Sequence, residues 1–231
     1  MNSRLFFDLK IKEISAEDRI AILGASRGLG WALYQELLSI QKNACFFLSS
    51  RKIDQRQSEL SKSTIFKVQD FSKTPIEDSF LQDLQKFAPT RLIYMAGGGP
   101  FGEFHKKKWA DHLWALNTTF LFPAELLHRI ISSPEQWFSL QQIVFVGSEV
   151  AESKPDPSAA SYAAAKHALK GLISTVQSES LQTPEIILFS PGYMQTEMLP
   201  QNSPPRLSGL AQTVDLVAKK LIAIIEKNNQ R

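Results

Sequence analysis

Short apolar runs recur at Ile20 to Leu23, Cys45 to Leu48, Ile65 to Val68, Leu92 to Met95, Ile143 to Val146 and Ile186 to Phe189. Bounded by polar residues and dense in branched or aromatic side chains, they predict six buried strands. Longer segments of helical period separate them. Between the first two strands, Leu29, Leu33, Leu37 and Ile40 fall on one helical face, and near the C-terminus Val214, Val217, Leu221 and Ile224 do the same, in a helix predicted to end near Asn228. Strands separated by helices pair in parallel through right-handed crossovers, because a tight hairpin cannot join parallel neighbours. The expected architecture is α/β, a doubly wound parallel sheet in a single domain spanning 1–231, with no seventh strand after the last helix. Proline and polar residues cluster at Ser153 to Ser158 and at Pro200 to Ser208, which read as surface loops.

Composition narrows the class. A chain of 231 residues, 43% of them hydrophobic, buries one large core. The formal charge is only +3, with 26 basic and 23 acidic residues, so no broad surface for nucleic acid is implied. Cys45 is the only cysteine, which excludes an internal disulfide and fits a reducing compartment. Its place in an apolar run predicts burial in a strand. No run reaches transmembrane length, and Met1 to Asp18 alternates charged with apolar residues, unlike a signal peptide. A cytoplasmic location without membrane attachment is the expectation. His105, His112, His128 and His167 form no ligand set with cysteine or carboxylates, so no metal is expected.

The first strand runs directly into Gly24-Ala25-Ser26-Arg27-Gly28-Leu29-Gly30 and then into an amphipathic helix. Exposed amides and the positive end of the helix dipole attract an anion there, and missing side chains admit a pyrophosphate. A glycine-rich connection without a ligand is the plainer alternative. Further along, Tyr162 and Lys166 are spaced to share one helical face. A neighbouring cation favours the phenolate, bringing the tyrosine nearer to acid/base chemistry at neutral pH, although such a pair is also common on ordinary surfaces. Ser148 ends the strand before that helix, at the edge of the sheet where ligands bind. Asn117 lies among Leu113, Trp114, Leu116 and Phe120, so its amide needs a polar partner if it faces inward.

In this order and spacing the residues resemble the short-chain dehydrogenase/reductase family, from Ile20 to the last helix. Gly24, Gly28 and Gly30 match its G-x-x-x-G-x-G turn, and Asp70 its acidic residue after the third strand. Asn117, Ser148, Tyr162 and Lys166 match its catalytic tetrad, and Pro191-Gly192 with Thr196 its nicotinamide-binding segment. The resemblance implies a Rossmann-type fold and hydride transfer between a nicotinamide and a carbon bearing oxygen. Tyr162 would exchange the oxygen's proton, Ser148 would hold that oxygen, Lys166 would lower the tyrosine pKa and hold the nicotinamide ribose, and Asn117 would retain a water for proton relay. The cofactor contacts so implied are Gly24, Ser26, Arg27, Gly28, Leu29 and Gly30 in the turn, then Ser50 and Arg51, then Asp70 and Phe71. Ala96 and Gly97, Tyr162 and Lys166, and Pro191, Gly192 and Thr196 complete them.

The second strand ends Leu48-Ser49-Ser50-Arg51 without the acidic residue that would hold an adenosine ribose diol. Arg51 and Arg27 lie where NADP-preferring members of the family carry basic residues, so NADP(H) is the expected cofactor. The chain departs from the family at Leu23, where threonine is usual, and at Tyr94-Met95-Ala96-Gly97, where Asn-Asn-Ala-Gly is usual; the missing asparagines remove polar contacts that brace the central strands. The segment 193–212, with Met194, Met198, Leu199 and Leu207 among its prolines, is a candidate substrate lid or a self-packed surface loop. The function implied is an NADP(H)-dependent reductase or dehydrogenase acting on a small, non-sugar carbonyl/alcohol substrate. The alternative is a dinucleotide-binding redox sensor without turnover. Apolar faces on Leu113 to Ile131 and Tyr162 to Leu181 suggest a homodimer or homotetramer.

Overall fold

A computed structural model describes residues 14–149, 157–179 and 184–227. All six apolar runs form strands: β1 (Arg19–Leu23), β2 (Cys45–Ser50), β3 (Thr64–Val68), β4 (Arg91–Tyr94), β5 (Gln142–Val146) and β6 (Glu185–Phe189). They build one parallel sheet in the order β3-β2-β1-β4-β5-β6. Helices α1 (Gly28–Ile40), α2 (Asp78–Phe87), α3 (Trp109–Leu116), α4 (Phe122–Ser132), α5 (Ala160–Ser178), α6 (Pro204–Leu207) and α7 (Val214–Lys227) connect or follow them. The result is a Rossmann-like α/β domain. Among the described residues no strand follows α7.

Alternation along each central strand divides the core into two layers. Ile20, Ile22, Phe46, Leu48, Ile93 and Val144 face α1 and α7, where Leu29, Leu33, Leu37, Val217 and Leu221 pack against them. Ala21, Leu23, Phe47, Leu92, Tyr94, Ile143 and Phe145 face α2, α4 and α5. Phe71 and Phe122 meet edge to face there, with centroids 4.9 Å apart.

Some local expectations change. Ile40 is about half exposed, at 49%, because it is the last residue of α1 and the chain turns away from the core at Gln41. Cys45, at the start of β2, is only partly buried. The Pro200 to Ser208 stretch holds the short helix α6, begun by Pro204, whose fixed φ and missing N–H suit a first helical turn. Residues 153–156 of the Ser153 to Ser158 loop lie outside the described residues, as do Met1 to Glu13, Leu181 and the polar end from Asn228.

At the edge opposite the strand carboxyl ends, Asp18 Oδ1 accepts hydrogen bonds from Thr90 Oγ1 at 2.7 Å and Arg91 Nε at 3.3 Å, and Arg91 also reaches Gln142 Oε1 at 3.1 Å. Arg91 is 2% exposed. Asp18→Ala removes a buried carboxylate that accepts from both Thr90 and this guanidinium, so it is expected to cost about 1.5–3 kcal/mol of stability. Urea denaturation measures this, and a loss below about 1 kcal/mol would contradict a buried pair of this kind.

Candidate active site

The sheet order reverses between β1 and β4, where loops leaving the strand carboxyl ends diverge and open a crevice. A cavity of about 620 Å³ occupies it, walled by residues following all six strands. The glycine turn forms its floor. Gly24 N–H and Ala25 N–H donate to the Ser49 carbonyl at 2.7 and 3.2 Å, while Met95 and Ala96 N–H donate to Leu23 at 2.9 and 3.1 Å. These bonds draw three backbones together. A Cβ on Gly24, whose φ is +105°, would lie 2.5 Å from Ala96 N, and one on Gly30 would lie 2.2 Å from Gly24 O. Both positions require glycine to close the turn.

At the other end of the crevice, α5 sets Tyr162 and Lys166 one turn apart. Its first turn is held from α3, because His112 Nδ1 and Ser161 Oγ are 2.5 Å apart. Ser148 hydrogen-bonds the Tyr162 hydroxyl. Lys166 Nζ donates to the Val146 carbonyl at 2.5 Å and lies 5.6 Å from the Tyr162 ring centroid. Gly97 borders this ammonium, where a Cβ would stand in ordinary contact at 3.4 Å from Nζ. Burial pushes the Tyr162 phenol up, against a smaller lowering by the Ser148 hydrogen bond, and burial brings Lys166 down to about 7. In this state burial disfavours the charged form of each group, whereas the sequence had suggested a phenol lowered by its lysine; desolvation is the largest cause at both residues.

Asn117 takes a different place from the other tetrad residues. It opens a π turn, Asn117–Leu121, that links α3 to α4, and its Nδ2 donates to the Ser72 carbonyl at 3.1 Å. Its inward amide thus has the polar partner it requires, but Asn117 is not part of the cavity wall. Thr118 is, and its buried Oγ1 has no hydrogen-bond partner. All the anticipated cofactor-contact residues border the cavity, although Phe71 is only 4% exposed and gives most of its ring to the aromatic core.

Toward β2 the wall carries charge. Ser50 Oγ is buried without a partner, and the Arg51 guanidinium carbon lies 5.2 Å from the Trp114 ring centroid. Burial raises the Asp70 carboxyl, but hydrogen bonds from the Ser72 N–H and hydroxyl, with the Arg51 and Lys73 charges, more than offset it and leave the group below its usual range. Arg27 pairs with Glu197 at 2.6 Å across the mouth of the cavity. Trp114 and Glu149 are wall residues that sequence reasoning did not assign to the site, whereas Tyr193 and Glu197 belong to the 193–212 segment it offered as a lid. Glu149, directly after Ser148, had a position that signalled it.

A phosphate-bearing dinucleotide fits this crevice: its turn is closed by glycines at the start of a helix, and Ser50 and Thr118 in its wall have buried hydroxyls without partners. Among the described residues no group of histidine, cysteine and carboxylate side chains could hold a metal, and no helix is long and apolar enough to cross a membrane.

A sequence model of the short chain dehydrogenase family matches residues 18–206. The curated proteins contain no match. Among solved structures, 4-hydroxyisoleucine dehydrogenase complexed with NADH aligns with a TM-score of 0.78 at 21% identity, covering 91% of this chain and 92% of that one. A short chain dehydrogenase from Burkholderia cenocepacia in complex with NADP aligns at 0.73 with 21% identity, covering 94% and 87%. A dehydrogenase/reductase from Sinorhizobium meliloti aligns at 0.74 with 18% identity, covering 93% and 89%. At these identities the likeness is one of fold.

The buried lysine has a consequence for stability. Between pH 7 and its ordinary pKa of 10.5, Lys166 is protonated in the unfolded chain and largely neutral in the folded one. The unfolded state then binds more protons, so this group makes stability rise with pH across that window, and its full destabilisation is present below pH 7. Lys166→Met is expected to stabilise the protein most at pH 7 and below, with the gain shrinking toward pH 10. Denaturation midpoints across that range test it, and a constant offset between parent and variant would contradict the assignment.

Proposed function

Because the chain belongs to the short chain dehydrogenase family, and so is an oxidoreductase that uses a nicotinamide cofactor, we propose that it is an NADP(H)-dependent enzyme interconverting a carbonyl and an alcohol, with Tyr162 as general acid/base. The observation that carries this reading is the hydrogen bond between Ser148 and Tyr162 in the wall of a glycine-floored cavity, with Lys166 beneath the ring.

When bound, the dinucleotide supplies or accepts the hydride. The chain's own residues manage the oxygen and its proton. The Tyr162 hydroxyl, protonated at neutral pH because burial raises its pKa, gives its proton to a carbonyl oxygen during reduction and takes it back during oxidation. The Ser148 hydroxyl donates a second hydrogen bond to that oxygen, in the place where it now meets the phenol. Lys166, near the midpoint of its titration at pH 7, turns toward its charged form as negative charge grows on Tyr162 and stabilises it. Asn117 anchors the π turn that carries Thr118 to the cavity, which supports a positioning role for it.

Arg51 and the Ser50 hydroxyl support a preference for the phosphorylated adenosine ribose of NADP(H). Arg27 is a weaker contributor because Glu197 already engages it, in a pair whose side chains are 67% and 78% exposed. Phe101, Tyr193, Met198 and Leu199 line the opposite wall and favour an apolar, non-sugar substrate, with 193–212 as its lid. Exposed Trp109, Leu113 and Leu121 along α3 and the π turn offer apolar surface for a homodimer or homotetramer.

Tyr162→Phe is expected to lower carbonyl-dependent NADPH oxidation at least about hundredfold while leaving nucleotide affinity unchanged. Undiminished turnover in that variant refutes the acid/base assignment, and tight NADPH binding with no turnover by the parent across a broad carbonyl panel favours a sensor. Arg51→Ala is expected to weaken NADPH binding about tenfold or more and NADH binding little; equal affinity of the parent for both cofactors would contradict the preference.

A further inference from the structure

Trp114 belongs to α3, one turn before the π turn, and forms part of the cavity wall. Three observations set it apart. The guanidinium of Arg51, from the segment after β2, lies over its ring at 5.2 Å, within reach of a cation–π contact. Its Nε1 is buried without a hydrogen-bond partner, although buried indole N–H groups ordinarily find one. Finally, the indole lies against the backbone after β4, where a Cβ on Gly98 would stand only 3.0 Å from Trp114 Cη2 and 3.5 Å from Met198 Sδ. Gly98 thus lets the ring seat closely and holds its plane.

An exposed arginine samples many rotamers, and ordering it opposes binding. Stacking on an indole uses the face of the guanidinium and leaves its edge N–H groups for hydrogen bonds, so a stacked arginine is oriented in advance for a multi-oxygen anion. Next to it in sequence, Ser50 is 7% exposed and its buried hydroxyl has no partner. Ser50, Arg51 and Trp114 are linked by sequence and contact, and together they offer a hydroxyl, a guanidinium and an indole N–H along the wall. The Asp70 carboxylate feels the Arg51 charge but is already engaged by the Ser72 N–H and hydroxyl.

We propose that Trp114 is a specificity-determining residue that holds Arg51 on its indole face and so builds a subsite for the phosphomonoester on the adenosine ribose. The inference rests on the NADP(H) reading above and assigns a side chain that reading does not use.

Adenosine 2′,5′-bisphosphate and adenosine 5′-monophosphate are the probes, and calorimetry gives the ratio of their affinities in each variant. Trp114→Leu is expected to reduce the parent's preference for the bisphosphate about fivefold, the scale of one cation–π contact, while leaving the monophosphate nearly unchanged. In an Arg51→Ala background the same change should reduce the ratio no further. An unaltered ratio in Trp114→Leu, an equal loss for both probes, or a further loss without Arg51 would overturn the proposal. Should Trp114→Leu fail to fold, the parent's tryptophan emission provides a second reading. It should respond to the bisphosphate differently from the monophosphate, and that difference should vanish in Trp114→Phe; its persistence would overturn the proposal equally. A parent that binds both probes alike defeats the NADP(H) reading itself, whereas a strong parental preference indifferent to Trp114 defeats only the role of the indole.

Discussion

The bond from Lys166 Nζ to the Val146 carbonyl pins the first turns of α5 to the carboxyl end of β5, and the arrangement of the site follows from it. The side chain reaches its acceptor only by entering the protein, where it is 3% exposed. That burial brings Tyr162 over the crevice, where it meets Ser148 just beyond the strand. It also costs the ammonium its hydration, which is why Lys166 titrates near 7. Position and proton affinity therefore have one cause: the burial that sets Lys166 beneath the Tyr162 ring is also what disfavours its charged form.

The rest of the site depends on close backbone approach. Gly24 and Gly30 permit contacts around the turn that any side chain would prevent. The Tyr94-Met95 departure gains a physical account here as well. The Tyr94 hydroxyl donates to the Thr118 carbonyl at 2.6 Å, and its ring stacks on Phe122 at 6.0 Å, tying β4 to the π turn and α4. Thr119 Oγ1 adds bonds to Gly98, accepting from its N–H at 3.1 Å and donating to its carbonyl at 3.2 Å. The bracing lost with the usual asparagines is supplied by a tyrosine and a threonine.

Much of this was legible in the chain because it is local. Strands show as short apolar runs, α1 and α7 show as periodic faces, and the glycine turn shows because its residues are consecutive. The Tyr162 and Lys166 pairing was readable for the same reason, since a helix converts a spacing of four into adjacency. The direction of their pKa shifts was not, because desolvation depends on what covers a group rather than on what precedes it. Ile40 and Cys45 misled at element ends, where the apolar pattern continues but the core covers a side chain only in part. The π turn was hidden too: Asn117 to Leu121 carries the composition of an ordinary helix, and the extra residue per turn emerges only from how α3 and α4 seat on the sheet.

Two wall residues take their meaning from a partner distant along the chain, which a reading of consecutive positions does not reveal. Glu197 matters through Arg27, and Trp114 through Arg51. The two arginines looked equivalent as bases near a glycine-rich cleft, yet their settings differ in kind. Glu197 offers Arg27 an anion, so a phosphate must compete for that guanidinium against a partner already in place. Trp114 offers Arg51 an aromatic face, which orders the side chain without occupying the edge groups that a phosphate would bind. A cation neutralised by a carboxylate and a cation set against an indole carry the same formal charge, but only the second keeps its charge open to an anion, which is why the proposed preference for NADP(H) is placed on Arg51 rather than Arg27.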